Sequence, residues 1–432
     1  MRKDALEWEY QNEERHHQEG TNGEPTTNWA RPTSLYVLNA TNPCFRTTFV
    51  PIVELTKGRR SSRWRKRNKV TIGEDDRGTR VMKIAVDAMG GDFAPQKIVE
   101  GAVWAAKRHG VKVVLVGDED QVSKELSKYP TSKLPIYIHH APFVVAMHDS
   151  PSAVIRRMKD TSIKVAFDLA KGGEANGVVS AGNSGAAMGL AMYILRKLEG
   201  VERPAIATIH PTTKGSTVLI DSGGNVDCKP IHLVQFAMMG DAYAKYILGK
   251  ETPRIGVLSN GEEEGKGNEL TREVHDMLSE TDLNYVGYVE GRDLNNGEVD
   301  VIVCDGFVGN VALKISEGLW ETIHAILKWE AQDNFRAKVA YFLLGRAIRR
   351  LEKRLDYAEV GGAPLLGVNG NCVICHGSSD AKAMMNAILL ASNLAKNRLN
   401  EHLLEELKEK QNMLRPGQKR SEKVNGSVES IP

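Results

Sequence analysis

From residue 82 onward, short apolar runs alternate with amphipathic stretches of helical period. KIAVDA opens as a buried strand, and QKIVEGAVWAAKRHG follows as an amphipathic helix ending at Gly110. The strand VKVVLVG leads into acidic DEDQ. The helix VAFDLAKGG leads to the strand GVVSAG, which opens through Asn183 into the helix GAAMGLAMYILRKL. STVLIDSGG then passes through NVDCKP to the helix HLVQFAMMGDAYAKYIL. RIGVLS passes through NGEEEGKGN to the helix ELTREVHDML, and VDVIVCDG passes through FVGN to the helix VALKISEGLWETIHAIL. Short strands alternating with helices of about 12 residues predict an α/β fold with a mainly parallel sheet and helices on both faces.

Three segments fall outside this alternation. Residues 1–81 are polar, lack a sustained apolar period and contain the basic run RRSSRWRKRNK. They are expected to be a disordered extension, or upstream sequence translated from an early start. Residues 333–356 read as a long basic amphipathic helix interrupted near Gly345. Val339, Phe342, Leu343 and Leu351 lie on one face, and the segment carries seven Lys or Arg against three acids, Asp333, Glu352 and Asp356. Residues 401–432 read as a charged helical tail with a polar end, which leaves 82–400 as the catalytic domain.

Composition narrows the classes. The chain has 432 residues, 41% hydrophobic and 26% charged, with net charge +2. Near-neutral charge gives no reason to invoke nucleic acid. No apolar run approaches the roughly 18 residues a membrane span needs. Five cysteines, an odd number, do not make a disulfide scaffold, and a cytoplasmic location is expected. Cys372-Val-Ile-Cys375 has metal-ligand spacing but no second such pair, so a core strand is the simpler reading. No metal or cofactor is expected. His376 is either packed or on the rim of a site.

Five joints share one design, in which a strand ends, a Gly/Asn/Asp loop follows and a helix begins: DAMGGDFAP, SAGNSGA, DSGGNVDCKP, NGEEEGKGNEL and DGFVGN. In parallel sheets such loops collect at the carboxyl ends of strands, where ligands bind. Glycines admit close backbone approach, and helix starts present N–H groups to an anion. Lys266 does not belong to a nucleotide loop of the GxxxxGK[ST] kind. Only three residues separate Gly261 from Gly265, and Gly267 follows the lysine where a Ser or Thr would hold magnesium. DAMGGD does not match GxGxxG, and no GxSxG elbow is present. What remains is a lysine before a helix start near Asn268, suited to a small phosphate.

Taken with MKIAVDAMGGDFAP, VEGRDLNNGEVDVIVCDGFVGNVALK, DYAEVGGAPLLGVNG and ICHGSSD, these loops resemble the PlsX-type phosphate acyltransferases from Met82 to about residue 400. Ser184 stands where that family usually has threonine, and DSGGN replaces its DVGAN. The resemblance implies a three-layer α/β/α Rossmann-like fold related to phosphotransacetylases and isocitrate-type dehydrogenases, with a protruding helical dimerisation or membrane element. It implies conversion of long-chain acyl-acyl-carrier protein and inorganic phosphate to acyl phosphate. It also implies a homodimer, peripheral contact with an anionic membrane, and hand-over to a membrane glycerol-3-phosphate acyltransferase.

Phosphate is already a nucleophile near neutral pH, so the protein must position it and stabilise the oxyanion. Lys266 suits phosphate binding, and Asn310 can donate to the thioester oxygen or to phosphate; the resemblance points to the same two positions. Asn183, Ser184, Gly265, Gly267, Asn268 and Asn225 are further phosphate-site candidates. Asp87, Gly90, Gly91 and Asp92 are expected to shape the floor. Phe342, Leu343, Leu344, Arg346, Arg349 and Arg350 are the candidate membrane or carrier-protein contacts. The alternatives are a phosphotransacetylase acting on coenzyme A thioesters and an isocitrate-type dehydrogenase. The dehydrogenase would need a divalent metal, with Asp221, Asp227 and Asp305 as its ligand candidates. A non-catalytic membrane scaffold is a third possibility, against which intact Lys266 and Asn310 argue. A chain shortened to begin at Met82 is expected to fold as a dimer and keep near-full transacylase activity; loss of solubility or turnover would make residues 1–81 part of the domain.

Overall fold

The computed structural model describes residues 82–410 apart from Met158 and Asn334. The extension expected at 1–81 and the polar end beyond residue 410 lie outside the described residues. Eleven strands form one sheet in the order β3-β2-β1-β4-β11-β10-β5-β6-β9-β7-β8. They are β1 (Lys83–Asp87), β2 (Lys112–Gly117), β3 (Ile136–His140), β4 (Gly177–Ser180), β5 (Ala205–Thr212), β6 (Gly215–Ile220), β7 (Ile255–Leu258), β8 (Tyr285–Val289), β9 (Val301–Val303), β10 (Ala363–Leu366) and β11 (Cys372–Ile374). Pairing is parallel from β3 to β11 and from β6 to β8. In the middle, β10 is antiparallel to both β11 and β5, and β5 is antiparallel to β6. Strand direction therefore reverses between the two parallel blocks.

The helices are α1 (Gln96–His109), α2 (Glu119–Leu126), α3 (Pro151–Arg157), α4 (Ser162–Lys171), α5 (Ser184–Ile194), α6 (Pro230–Tyr246), α7 (Glu269–Ser279), α8 (Asp293–Asn296), α9 (Gly306–Asp333), α10 (Phe335–Leu355), α11 (Ala381–Lys396) and α12 (Leu399–Lys410). They cover both faces. Side chains alternate across the pleat, so Ile84, Val86, Val113 and Leu115 join the core under α1, α6 and α11. Ala85, Val114 and Val116 join the opposite core, with Ile163, Phe167 and Leu190 of α4 and α5. Every residue of α6 from His232 to Ala244 is buried, as expected of a mostly apolar helix enclosed by sheet and helices, with its polar members Gln235 and Asp241 hydrogen-bonded. The expectation of a mainly parallel α/β/α sheet therefore holds.

Two local readings are corrected. DGFVGN is not a loop before a helix, because α9 already begins at Gly306 and Asn310 is helical. Asp305 explains the early start: its Oδ1 accepts from the N–H groups of Phe307 and Val308, both at 3.0 Å, and so satisfies two donors of the first turn. Nor is the later helix interrupted at Gly345, since α10 runs through it. One glycine costs a helix only about 1 kcal/mol, which the rest of α10 tolerates. Helices α9 and α10 carry an exposed apolar set that includes Ile315, Leu319, Trp329, Phe342, Leu343 and Leu344. No helix among the described residues is long and apolar enough to cross a membrane.

At the reversal, Asp221 follows β6 and is fully buried. Its carboxylate accepts from the N–H groups of Ile206 (2.9 Å), Gly224 (2.9 Å) and Asn225 (2.6 Å), and from the Asn225 amide (2.8 Å). One side chain thus joins β5 to the loop after β6. Burial pushes its carboxyl above the usual range, while these donors pull the other way. Asp221→Asn would turn N–H groups toward an amide donor, with an expected loss of roughly 3 kcal/mol. Urea unfolding measures it, and an unchanged midpoint would mean that the carboxylate is not the joint.

Candidate active site

The loops after β1, β4 and β11 form one group. Asp87 closes β1 and is buried. The Ser180 hydroxyl donates to its Oδ2 at 2.8 Å, and the Met89 N–H lies 3.3 Å from Oδ1. The Gly182 N–H donates in turn to Ser180 Oγ at 3.1 Å. Burial raises the Asp87 carboxyl above its ordinary range, opposed by hydroxyl and backbone donors. Gly90 lies directly over this carboxylate, where a Cβ would come within 2.5 Å of Oδ2. Gly91 has φ +106° and packs on Ala181, and the Asp92 N–H bonds to Gly377 O at 2.8 Å. Asp87, Gly90 and Gly91 thus fasten two strand ends together, and the Asp92 side chain is exposed.

Asn183 caps α5 by accepting from the Ala186 N–H at 2.9 Å. Its amide donates to Met147 O at 2.8 Å and Asp149 O at 2.9 Å. Its donors are therefore occupied in fixing the loop before α3. Ser184, the first residue of α5, is exposed.

The loops after β6, β9 and β7, which are neighbours in the sheet, form a second group. Asn225 faces inward, donating to Pro204 O at 2.7 Å as well as to Asp221. Its own carbonyl accepts from the Gly306 N–H at 2.7 Å. Gly306 and Gly309 allow α9 to start against this loop, for a Cβ on Gly309 would collide with Asp221 O. The next residue, Asn310, is half-buried beside Gly223, and no side-chain hydrogen bond engages its amide among the described residues.

Lys266 lies between Gly265 (φ +90°) and Gly267 (φ +84°), left-handed conformations that favour glycine. A Cβ on Gly267 would also collide with Thr271 Oγ1. Asn268 caps α7, its side chain accepting from the Thr271 N–H at 2.9 Å while Thr271 Oγ1 accepts from the Asn268 N–H at 2.9 Å. The Gly267 N–H is tied to Asn260 Oδ1 at 2.8 Å. The lysine side chain is half exposed, 3.8 Å from Glu263. Glu262 is paired with Arg292 at 3.2 Å. Of the three glutamates, two are therefore in ion pairs.

Between the two groups, Met188 of α5 reaches Gly224. Ser180, Asn260 and Arg292 were not singled out from sequence. Each is an ordinary polar residue, Ser180 at the end of β4 and the other two in loops, whose role depends on a partner brought near by folding. The buried thiols of Cys372 and Cys375 are shifted upward by burial, Cys372 to about 12, as fits the core-strand reading. His376 is exposed, with Nδ1 2.7 Å from Ser378 Oγ, on the rim beside Gly377. Asp221 and Asp305, two of the dehydrogenase-type ligand candidates, are engaged by the N–H donors already described, and Asp227 is exposed.

A family model described as "Fatty acid synthesis protein" matches residues 82–402. A phosphate acyltransferase of Syntrophotalea carbinolica is 56% identical over 324 residues, covering 75% of this chain and 93% of that protein. A phosphate acyltransferase of Geobacter sulfurreducens is 55% identical over 326 residues, covering 76% and 94%. Among solved structures, a phosphotransacetylase from Streptococcus pyogenes matches with a TM-score of 0.51 at 18% identity, covering 72% of this chain and 94% of that one, which is a likeness of fold. A site built from glycine loops and a lysine at a capped helix start thus sits in a chain that belongs to the PlsX-type phosphate acyltransferase family and is an acyltransferase.

Proposed function

We propose that this enzyme transfers a long-chain acyl group from acyl-carrier protein to inorganic phosphate, supplying acyl phosphate for phospholipid synthesis. The observation that carries this reading is the placement of Lys266 and Asn310. A lysine flanked by two left-handed glycines stands at a capped helix start, and an uncommitted amide stands on the helix after the neighbouring strand. Lys266 holds a phosphate dianion as a point charge, and the α7 N-terminus adds partial positive charge. A phosphate oxygen attacks the thioester carbon, and the Asn310 amide donates to the oxyanion that forms. The carbon–sulfur bond then breaks, giving acyl phosphate and the carrier thiol; the proton of hydrogen phosphate ends on the departing sulfur, so no metal or nucleophilic side chain is required. Ser184, exposed at the start of α5, is the further phosphate donor we favour. Asn183 and Asn225, whose amides are occupied, hold the loops.

The same reading gives the α9–α10 pair two partners. Phe342 is 82% exposed and Leu343 74%, with Arg346, Arg349 and Arg350 close behind on α10. An apolar tip beside cations suits an anionic lipid surface, where a membrane glycerol-3-phosphate acyltransferase would receive the product. A second copy of the chain covering the α9 apolar residues would form a homodimer.

Lys266→Ala and Asn310→Ala are each expected to lose roughly 10²–10³ in turnover with folding intact. The phosphate KM should rise more for the lysine change. The assay uses palmitoyl-carrier protein and phosphate without metal or nicotinamide and follows acyl phosphate; a Lys266→Ala enzyme with half its activity at low phosphate would recast GEEEGKGN as a structural turn. Changing Leu343 and Leu344 to Glu should abolish sedimentation with anionic vesicles while transacylase activity in solution survives. Unchanged sedimentation would remove the membrane role.

A further inference from the structure

Within the lysine loop, Glu263 forms an ion pair with Lys266, its Oε2 3.8 Å from Nζ. The two side chains are folded over Gly261. A Cβ at that position would stand 2.8 Å from Glu263 Oε2 and 2.9 Å from Lys266 Cγ, so the missing side chain is what lets carboxylate and lysine stem share the space. The turn is closed by the Lys266 N–H donating to Glu263 O at 3.1 Å. The neighbouring glutamates are placed differently. Glu262 is held by Arg292, whose Nε also binds Glu290 at 3.0 Å. Glu264 is exposed and makes no ion pair among the described residues.

We propose that Glu263 is the internal counter-ion of Lys266: it occupies the ammonium when the anion site is empty, and phosphate must displace it. This rests on the assignment of Lys266 to phosphate made above. The tethered carboxylate competes at high effective concentration. A monoanion gains no more Coulomb attraction than the carboxylate it replaces, whereas a phosphate dianion gains about twice as much. Glu263 thereby lowers the apparent affinity of the site for every anion by one common factor, and the dianion is the anion best able to displace it. Both side chains are substantially exposed, 47% for the lysine and 72% for the glutamate, so the pair is weak and exchanges readily.

The test compares Glu263→Gln, Glu264→Gln and Lys266→Ala in the full-length enzyme, measuring phosphate KM, kcat and inhibition by chloride at constant ionic strength. Glu263→Gln is expected to lower the phosphate KM by roughly two- to five-fold, the range open to an exposed ion pair. It should lower the chloride inhibition constant by the same factor, since one closed fraction of the site is released to every anion, and leave kcat nearly unchanged. Glu264→Gln makes the same change of charge one residue away and should move neither constant. If Glu263→Gln behaves as Glu264→Gln does, or raises the phosphate KM, the counter-ion role is overturned. A Lys266→Ala enzyme with unchanged phosphate KM would instead overturn the lysine assignment itself, and the two failures are thus told apart.

Discussion

A buried carboxylate must find hydrogen-bond donors, and much of this molecule is arranged to meet that demand at Asp221. Leaving such a charge unpaired costs several kcal/mol, so its four N–H donors are drawn together as a set. They come from β5 and from the loop after β6, where the sheet changes strand direction. The Asp221 carbonyl is in turn the surface against which Gly309 is fitted, which fixes where α9 begins and where Asn310 stands. Asp87 serves the other parallel block in the same manner, through Ser180 and the backbone of the loop after β1. Each half of the sheet thus uses an internal anion to organise loops at its strand ends.

That division of labour separates the buried acids from Lys266 and Asn310. Asp87 and Asp221 are buried and engaged by donors from the loops that follow them and from the strands β4 and β5. Lys266 is half exposed, and the Asn310 amide is uncommitted. Glycines follow the same division. Gly90, Gly306 and Gly309 are needed because a side chain would strike a neighbouring loop, whereas Gly265 is needed for its left-handed backbone and has open space around it. The first kind sets positions. The second kind lets the lysine turn outward without strain.

Strands made of Val, Ile and Leu runs, such as β2 and β9, were legible in the sequence because burial on both faces leaves no alternative composition. Strands β3, β5, β8 and β10 were not. IYIHH lies at the sheet edge and half in solvent, and AIATIHPT mixes polar residues and a proline into an antiparallel pair. The helical start of DGFVGN was hidden because its glycines read as a loop, while the reason for them is the close approach of Asn225 to Gly306 and of Asp221 to Gly309. The loops themselves were legible as strand-to-helix joints. The direction in which each side chain turns was not. Asn183 and Asn225 carry the same amide as Asn310, yet their partners, Met147 O, Asp149 O and Pro204 O, come from distant parts of the chain. No local pattern distinguishes a spent amide from an available one.

Asn310 has one further property that a loop residue would lack. It stands near the start of an unbroken helix of 28 residues, about 42 Å at 1.5 Å per residue. The same helix carries Ile315, Leu319, Ile323 and Trp329 on exposed surface and pairs with α10. A helix of that length moves as a stiff element, so its far end and its first turns cannot be displaced independently. The start is held by Asp305, by Gly306 against Asn225 and by Gly309 against Asp221. Whatever covers the apolar far end therefore bears on an element whose near end is anchored in the core. Asp305, Gly306 and Gly309 thus hold Asn310 in place from the near end, whatever the exposed apolar residues further along the helix meet.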